Sequence, residues 1–249
     1  MGWKSSLIII ENKENFTDEN EILNALGKSD YEFDRELTLD ECIYPNDKSI
    51  NIGYFNGNIV ISDDYQITTN SLERADKLNL TKEEKNLVEL FPTSEIVTVA
   101  CHSAVNYHGY SVIENGIKKR LKIISSDEPR IEFGERIKEE NEIYERSYTK
   151  DNKNFWKDDA DPEEDFTEDQ LMEDFTFGVA KRRIGILLDH SDGDELMEKV
   201  IFKKFKSPNQ TSEVEELIKT EKKAKWIKYG IIILILIIWQ ILKRTVFKN

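Results

Sequence analysis

Apolar and polar residues alternate over several short stretches of this chain, with the two-residue period of a half-buried β-strand. This pattern predicts a first strand over Trp3–Ile10 and a pair of strands within Ile50–Ile61. Asn56 and Gly57 lie between the two halves of that pair. Asn-Gly favours a two-residue turn, because both residues accept the left-handed backbone that such turns need. The sequence therefore predicts a hairpin here.

A longer group of alternating stretches follows in the middle of the chain. Asn115-Gly116 supplies a second tight-turn signal between the last two of them. Consecutive strands joined by short turns form an antiparallel meander. The three predicted strands of this meander are Glu95–His102, Tyr107–Ile113 and Ile117–Ile124.

Helical spacing of apolar residues, preceded by capping residues, predicts several helices. Asp18 begins the first, and Thr81 with Glu84 forms a capping box at the second. A third follows Thr167 and ends at Gly185, and a fourth is predicted over Gly193–Phe205. Strands and helices that are segregated in this way indicate an α+β fold, with an antiparallel meander sheet and packed helices.

The pattern changes near the end of the chain, where residues 229–242 contain one polar side chain, that of Gln240. With residues 226–228 the apolar run reaches seventeen residues, or about 25 Å of helix. We predict one transmembrane helix over 226–243, and the alternative is a buried core helix. The residues suited to the two bilayer interfaces are Trp226, Lys228, Tyr229, Trp239, Lys243 and Arg244.

The anchor defines the predicted domain organisation. A soluble α+β domain covers residues 1–206, and it is followed by a juxtamembrane segment and helix (207–225), the transmembrane helix and a short tail (244–249). The run Leu7–Ile10 is too short for a signal peptide. We therefore expect a tail-anchored, single-pass membrane protein with the bulk of the chain in the cytoplasm.

Charge narrows the set of partners. Residues 1–212 carry 45 acidic and 27 basic residues, a net −18, whereas residues 213–249 carry +4. An acidic body repels phosphate, which argues against a nucleic-acid partner, and the basic end suits a lipid bilayer. The most acidic part includes residues 148–165, which we predict to be a flexible loop that docks a basic protein partner.

Cys101, His102 and His108 are the candidate nucleophile and bases. Neighbouring residues of a strand point to opposite faces, so Cys101 and His102 cannot meet in a regular strand, whereas His108 can reach either of them. The alternative interpretation is a half-buried cysteine with two ordinary histidines of the sheet. In a cytoplasmic domain we expect Cys101 and Cys42 to be free thiols.

Asp189, Asp192 and Asp194 resemble part of a calcium-binding loop. The twelfth position of such a loop needs a glutamate, and here it is Val200. A helix cap with acidic residues in the first turn is the alternative, and we favour it. The chain has neither a Walker pattern nor a G-x-G-x-x-G pattern, and we predict no cofactor.

Three segments carry a resemblance to a known family. They are the Met-Gly-x-Lys start at residues 1–4, the tripeptide Phe133-Gly134-Glu135, and the stretch Glu168–Gly185. In these segments the chain resembles a bacterial protein family of unknown function. The resemblance covers the body and not the anchor, and it implies no active site.

Three functional hypotheses follow. The first is a membrane-anchored cytoplasmic binding or adaptor module. The second is a membrane-tethered enzyme, for instance a hydrolase, that uses Cys101 or His108. The third is an oligomerising membrane effector whose last helix perturbs the bilayer.

Overall fold

The fold is built mainly from β-strands. The structure is a computed structural model, and it describes residues 3–43, 46–73, 76–125, 129–158, 161 and 163–208. The strands of this part of the chain are β1 (Lys4–Glu11), β2 (Glu32–Thr38), β3 (Ile50–Phe55), β4 (Asn58–Asp63), β5 (Ile96–His102), β6 (Tyr107–Glu114), β7 (Ile117–Ile124), β8 (Ile131–Gly134), β9 (Tyr148–Lys150), β10 (Lys153–Lys157), β11 (Asp165–Phe166) and β12 (Ile201–Lys206).

Over the described residues, six α-helices connect these strands, and short 3-10 turns occur at Ser103–Val105, Glu168–Leu171 and Ser191–Gly193. As predicted, Asp18 caps the helix Glu19–Ala25, and the capping box of Thr81 and Glu84 begins the helix Lys82–Leu90. The helices are α1 (Glu19–Ala25), α2 (Leu39–Cys42), α3 (Gln66–Glu73), α4 (Lys82–Leu90), α5 (Lys138–Tyr144) and α6 (Met172–Ile184).

Nine strands form one antiparallel sheet, in the order β2-β12-β3-β4-β1-β5-β6-β7-β8. The predicted hairpin is β3–β4, and Asn56 and Gly57 both have positive φ at its turn. The predicted meander is β5–β6–β7, with Asn115 and Gly116 in the same conformation. The structure therefore confirms an α+β fold with a large antiparallel sheet and several helices.

The sheet buries both of its faces, because successive side chains of each strand alternate between them. On one face Ile8 and Ile10 of β1 belong to a core that includes residues of α1 and α4. On the other face Leu7 and Ile9 belong to a core that includes residues of α5 and α6. We call this second side the α5–α6 face.

The predicted helix over Gly193–Phe205 is wrong. A π-helical turn, Glu195–Lys199, leads into β12, which lies between β2 and β3. Phe202 is buried on the α5–α6 face and Phe205 in the opposite core, because residues an odd number of positions apart in a strand point to opposite faces. Burial of both aromatic rings outweighs the helical pattern of the sequence.

The acidic segment 148–165 differs from the predicted loop, because β9, β10 and β11 form a small antiparallel sheet there. Asp151 and Asn152 both have positive φ and turn β9 into β10. The Trp156 ring of β10 is buried, and its Nε1 donates a hydrogen bond to the Ile143 carbonyl oxygen at 2.8 Å. This side chain attaches the hairpin to α5.

The chain divides into two units, residues 1–208 and 209–249. The predicted transmembrane helix and its interfacial residues lie outside the described residues. Within the described part of the chain no helix is long and apolar enough to cross a bilayer.

Candidate functional site

The sheet register brings two of the predicted site residues together. Cys101 of β5 lies directly opposite His108 of β6, and both side chains are buried at one end of the α5–α6 face. His102 follows Cys101 and therefore points to the opposite face, where its ring lies near that of Tyr65. Cys101 and His108 thus meet, whereas His102 does not join them.

Helix α6 adds a third group that the sequence analysis missed. Glu173, in the first turn of α6, contributes a carboxylate oxygen that lies within 4.8 Å of Cys101 Sγ and of a ring nitrogen of His108. We call Cys101, His108 and Glu173 the Cys–His–Glu cluster. Acidic residues at the start of a helix packed over the meander were the available signal, but the sequence does not show which strand the helix crosses.

A second layer of hydrogen bonds orients the cluster. The Ser103 hydroxyl donates to the Glu173 carboxylate and accepts a hydrogen bond from the Trp3 backbone N–H at 3.0 Å. The Ser103 oxygen also lies 3.6 Å from Cys101 Sγ. The turn after β5 thereby links the thiol, the carboxylate and the start of β1.

Burial decides the ionisation of the cluster at neutral pH. Cys101 is 0% exposed, and this burial raises the pKa of its thiol to about 12. Burial also lowers the pKa of His108, although the nearby Glu173 carboxylate opposes that effect. Thiol and imidazole are therefore both neutral at pH 7. A nucleophilic cysteine needs the thiolate and access to substrate, and the buried Cys101 thiol has neither at neutral pH.

A surface cleft of about 560 Å³ lies between α5 and α6, and its lining does not include the three residues of the Cys–His–Glu cluster. Binding pockets commonly fall in this range of size. Apolar side chains and side chains of both charge signs line it. Its lining residues include Ile143, Arg146, Asp174, Lys181, Leu187 and Asp189.

Two carboxylates of the cleft, those of Asp174 and Asp189, repel each other. The pKa of Asp174 is raised, first by partial desolvation and second by the negative charge of Asp189, although the positive charge of Arg146 opposes both effects. The Oδ1 atom of Asp189 is buried and has no hydrogen-bond partner among the described residues. An unpaired acceptor beside a second carboxylate favours a cationic ligand.

The structure does not group the three aspartates that resemble part of a calcium-binding loop into one ligand set. Asp189 lies at the cleft, whereas Asp192 and Asp194 are exposed. In the described residues, the Cys–His–Glu cluster is the group whose three potential ligand atoms are close enough to share an ion. It contains none of these aspartates.

A row of buried cations on β7 was also missed. Lys118, Arg120 and Lys122 are each at most 2% exposed. A bulge at Lys119 turns Lys118 towards Glu84 on one face, while Arg120 pairs with Glu140 on the α5–α6 face. The sequence pointed to these residues through the alternation of basic and apolar residues in Ile117–Ile124. Such alternation, however, predicts that the basic face of the strand is exposed to solvent.

Comparison of the chain with protein-family models, with curated proteins and with solved structures gives no match, so no family is assigned to it.

Proposed function

We propose that this protein is a membrane-anchored cytoplasmic binding module, and that the α5–α6 cleft takes a cationic side chain of a basic protein partner. The observation that carries the proposal is the pair of carboxylates of Asp174 and Asp189, of which one oxygen is buried without a hydrogen-bond partner in the described part of the chain. Residues 226–243 supply the bilayer anchor in this proposal.

The chemistry of the cleft favours an arginine or lysine side chain. A guanidinium or ammonium group between the two carboxylates would offset their repulsion and donate to the unpaired oxygen. Ile143 and Leu187 line the same cleft and suit the methylene stem of such a side chain. The acidic body, including segment 148–165, would increase the rate of encounter with a basic partner.

The enzyme alternative has less support. Its nucleophile, Cys101, is fully buried, and its thiol is protonated at neutral pH. A substrate would have to pass the α6 side chains that cover the α5–α6 face. Binding at the cleft needs neither a thiolate nor such an opening.

A peptide titration tests the proposal. We would measure fluorescence anisotropy of a labelled arginine–glycine repeat peptide against the full chain in detergent micelles. Replacement of both carboxylates, Asp174→Asn with Asp189→Asn, should weaken binding about tenfold or more. The same peptide with citrulline in place of arginine should bind weakly to both proteins, because it lacks the positive charge.

Asp40→Asn is the matched control, because it removes one exposed carboxylate on α2, outside the cleft. It should change the dissociation constant only slightly. Equal affinity of the wild type and the Asp174→Asn/Asp189→Asn protein would refute the cleft as the recognition site. So would an equal loss of affinity in the Asp40→Asn control.

A further inference from the structure

We propose that Cys101, His108 and Glu173 form a binding site for one divalent transition-metal ion, with zinc the best match to the donor set. One sulfur, one imidazole nitrogen and one carboxylate oxygen meet within 4.8 Å on three different elements, β5, β6 and α6. This site is distinct from the cleft that takes the partner, and the inference does not depend on the proposed function.

The donor set selects the metal. Thiolate and imidazole are the ligands that zinc prefers in proteins, and a carboxylate often completes the set. Calcium and magnesium take oxygen ligands and are disfavoured by the sulfur and the nitrogen. Three protein ligands leave one position of a tetrahedron open, which is the usual number for a site that is not purely structural.

An independent observation at His108 points to a ligand. The side chain is 3% exposed, and its Nδ1 atom has no hydrogen-bond partner within the described ranges. A buried ring nitrogen without a partner is unfavourable, because the atom has lost its water and gained nothing in return. A metal ion held between the imidazole and the two other ligands would compensate that loss.

The second layer fits the same interpretation. Metal-binding carboxylates are commonly oriented by hydrogen bonds from outside the ligand set. Ser103 does this for Glu173, and the Trp3 backbone N–H in turn holds Ser103. The carboxylate is thus fixed towards Cys101 and His108 before any ion enters.

Binding requires a small contraction and the loss of one proton. Tetrahedral zinc with bonds of about 2.0–2.3 Å places neighbouring ligand atoms roughly 3.3–3.8 Å apart. The three atoms, which lie within 4.8 Å of one another, therefore have to approach by up to about 1.5 Å. The Cys101 S–H bond breaks, a sulfur–metal bond forms, and the proton leaves to solvent, while His108 binds as the neutral imidazole.

Cobalt substitution gives the sharpest test. The reduced full chain in detergent would be titrated with Co²⁺ and, separately, with Zn²⁺ against a chromophoric chelator. We expect one ion per chain and a sulfur-to-cobalt charge-transfer band that Zn²⁺ abolishes. Cys101→Ser should remove the band, and Ser103→Ala should weaken Zn²⁺ binding roughly 10–100-fold.

Cys42→Ser is the matched control, because Cys42 is the other buried cysteine and is not part of the cluster. It should keep both the band and the affinity. Circular dichroism of each variant separates loss of the ion from loss of the fold. The proposal is overturned if the folded wild type binds no stoichiometric metal, or if Cys42→Ser loses the band while folded Cys101→Ser keeps it.

Discussion

Among single residues, the basic residues of β7 form ion pairs that are buried, and their burial has a large desolvation cost. Arg120 is 1% exposed at its side chain, and its guanidinium donates to both oxygens of Glu140, which is 0% exposed. Withdrawing two charges from water is unfavourable unless they satisfy each other. The pair is stable because the guanidinium also donates to the Gly134 carbonyl oxygen at 2.8 Å and to Glu132.

Arg120→Met should lower the free energy of unfolding by about 3–5 kcal/mol, because the buried Glu140 carboxylate loses its bidentate partner. The counter-charge that remains is the Lys122 ammonium, 3.8 Å away. Arg130→Met is the control. Arg130 also forms two ion pairs, but its side chain is 41% exposed, so its loss should cost about 1 kcal/mol or less. Urea denaturation followed by circular dichroism measures both. Equal losses would contradict the assignment of Arg120 and Glu140 as the critical pair.

Glu132 gives the fold a defined response to acid. Burial alone would raise the pKa of Glu132, but Arg120 and Arg130 outweigh that effect and lower it to about 2. The unfolded value is about 4.3, so Glu132 stabilises the fold above that pH. This contribution is lost as the pH falls from about 4.3 towards 2.

Glu132→Gln should therefore reduce the free energy of unfolding at pH 7 by about 1–2 kcal/mol, a value discounted for partial exposure. The difference from the wild type should shrink as the pH falls below about 4. Urea midpoints of the two proteins, measured at a series of pH values, provide the test. A difference that grew towards low pH would show that the sign of the effect is wrong.

Some residues of the candidate site could be predicted from the sequence, and others could not. Cys101 and His108 could be paired from sequence, because both lie near the ends of predicted strands joined by a short turn. Glu173 and Asp174 could not be added, because the position of α6 over the sheet depends on the packing of Phe175 and Phe177 in the core. Local pattern does not contain that information.

Among the strands, those joined by short turns with recognisable turn residues were predicted, and those paired over a long sequence separation were not. The β3–β4 hairpin and the β5–β6–β7 meander are joined by short connections, and the sequence predicted both. Strands β2 and β12 pair with each other although about 165 residues separate Leu37 from Phe202. No turn residue marks that pairing, and the charged β2 resembles a surface loop.

Gly53 of β3 lies against the ring of Phe202 of β12. A Cβ atom at this position would lie 2.7 Å from the ring of Phe202, which is 0% exposed. Gly53→Ala should therefore destabilise the protein by about 1–3 kcal/mol through overpacking.

Gly178 offers the matched control for that substitution. It lies in the interior of α6, and nothing lies within 4 Å of the Cβ atom that alanine would add. Gly178→Ala should stabilise the protein by about 0.5–1 kcal/mol, because alanine favours the helix. Thermal melts of the two variants should shift in opposite directions. An unchanged or higher melting temperature of Gly53→Ala would show that Phe202 does not pack on Gly53.

In the whole molecule, the proposed function assigns recognition of the partner to the folded unit and attachment to the bilayer to the terminal segment. The segment's role is a prediction from its sequence. Leu234→Arg with Ile235→Arg should abolish flotation with liposomes, because each arginine at the centre of a span costs about 2.5–3.5 kcal/mol. Thr245→Arg with Asn249→Arg adds the same charge outside the span and should leave flotation intact. Flotation of both variants would refute the anchor.

The most direct test of this division is to measure the affinity of one arginine–glycine repeat peptide for two forms of the protein. One is the full chain in lipid nanodiscs, and the other is residues 1–209, checked for folding by circular dichroism. We expect the same dissociation constant for both, because the carboxylates of Asp174 and Asp189 lie in the folded unit. Binding by the full chain, together with no binding by a folded fragment, would contradict this expectation and assign recognition to the terminal segment.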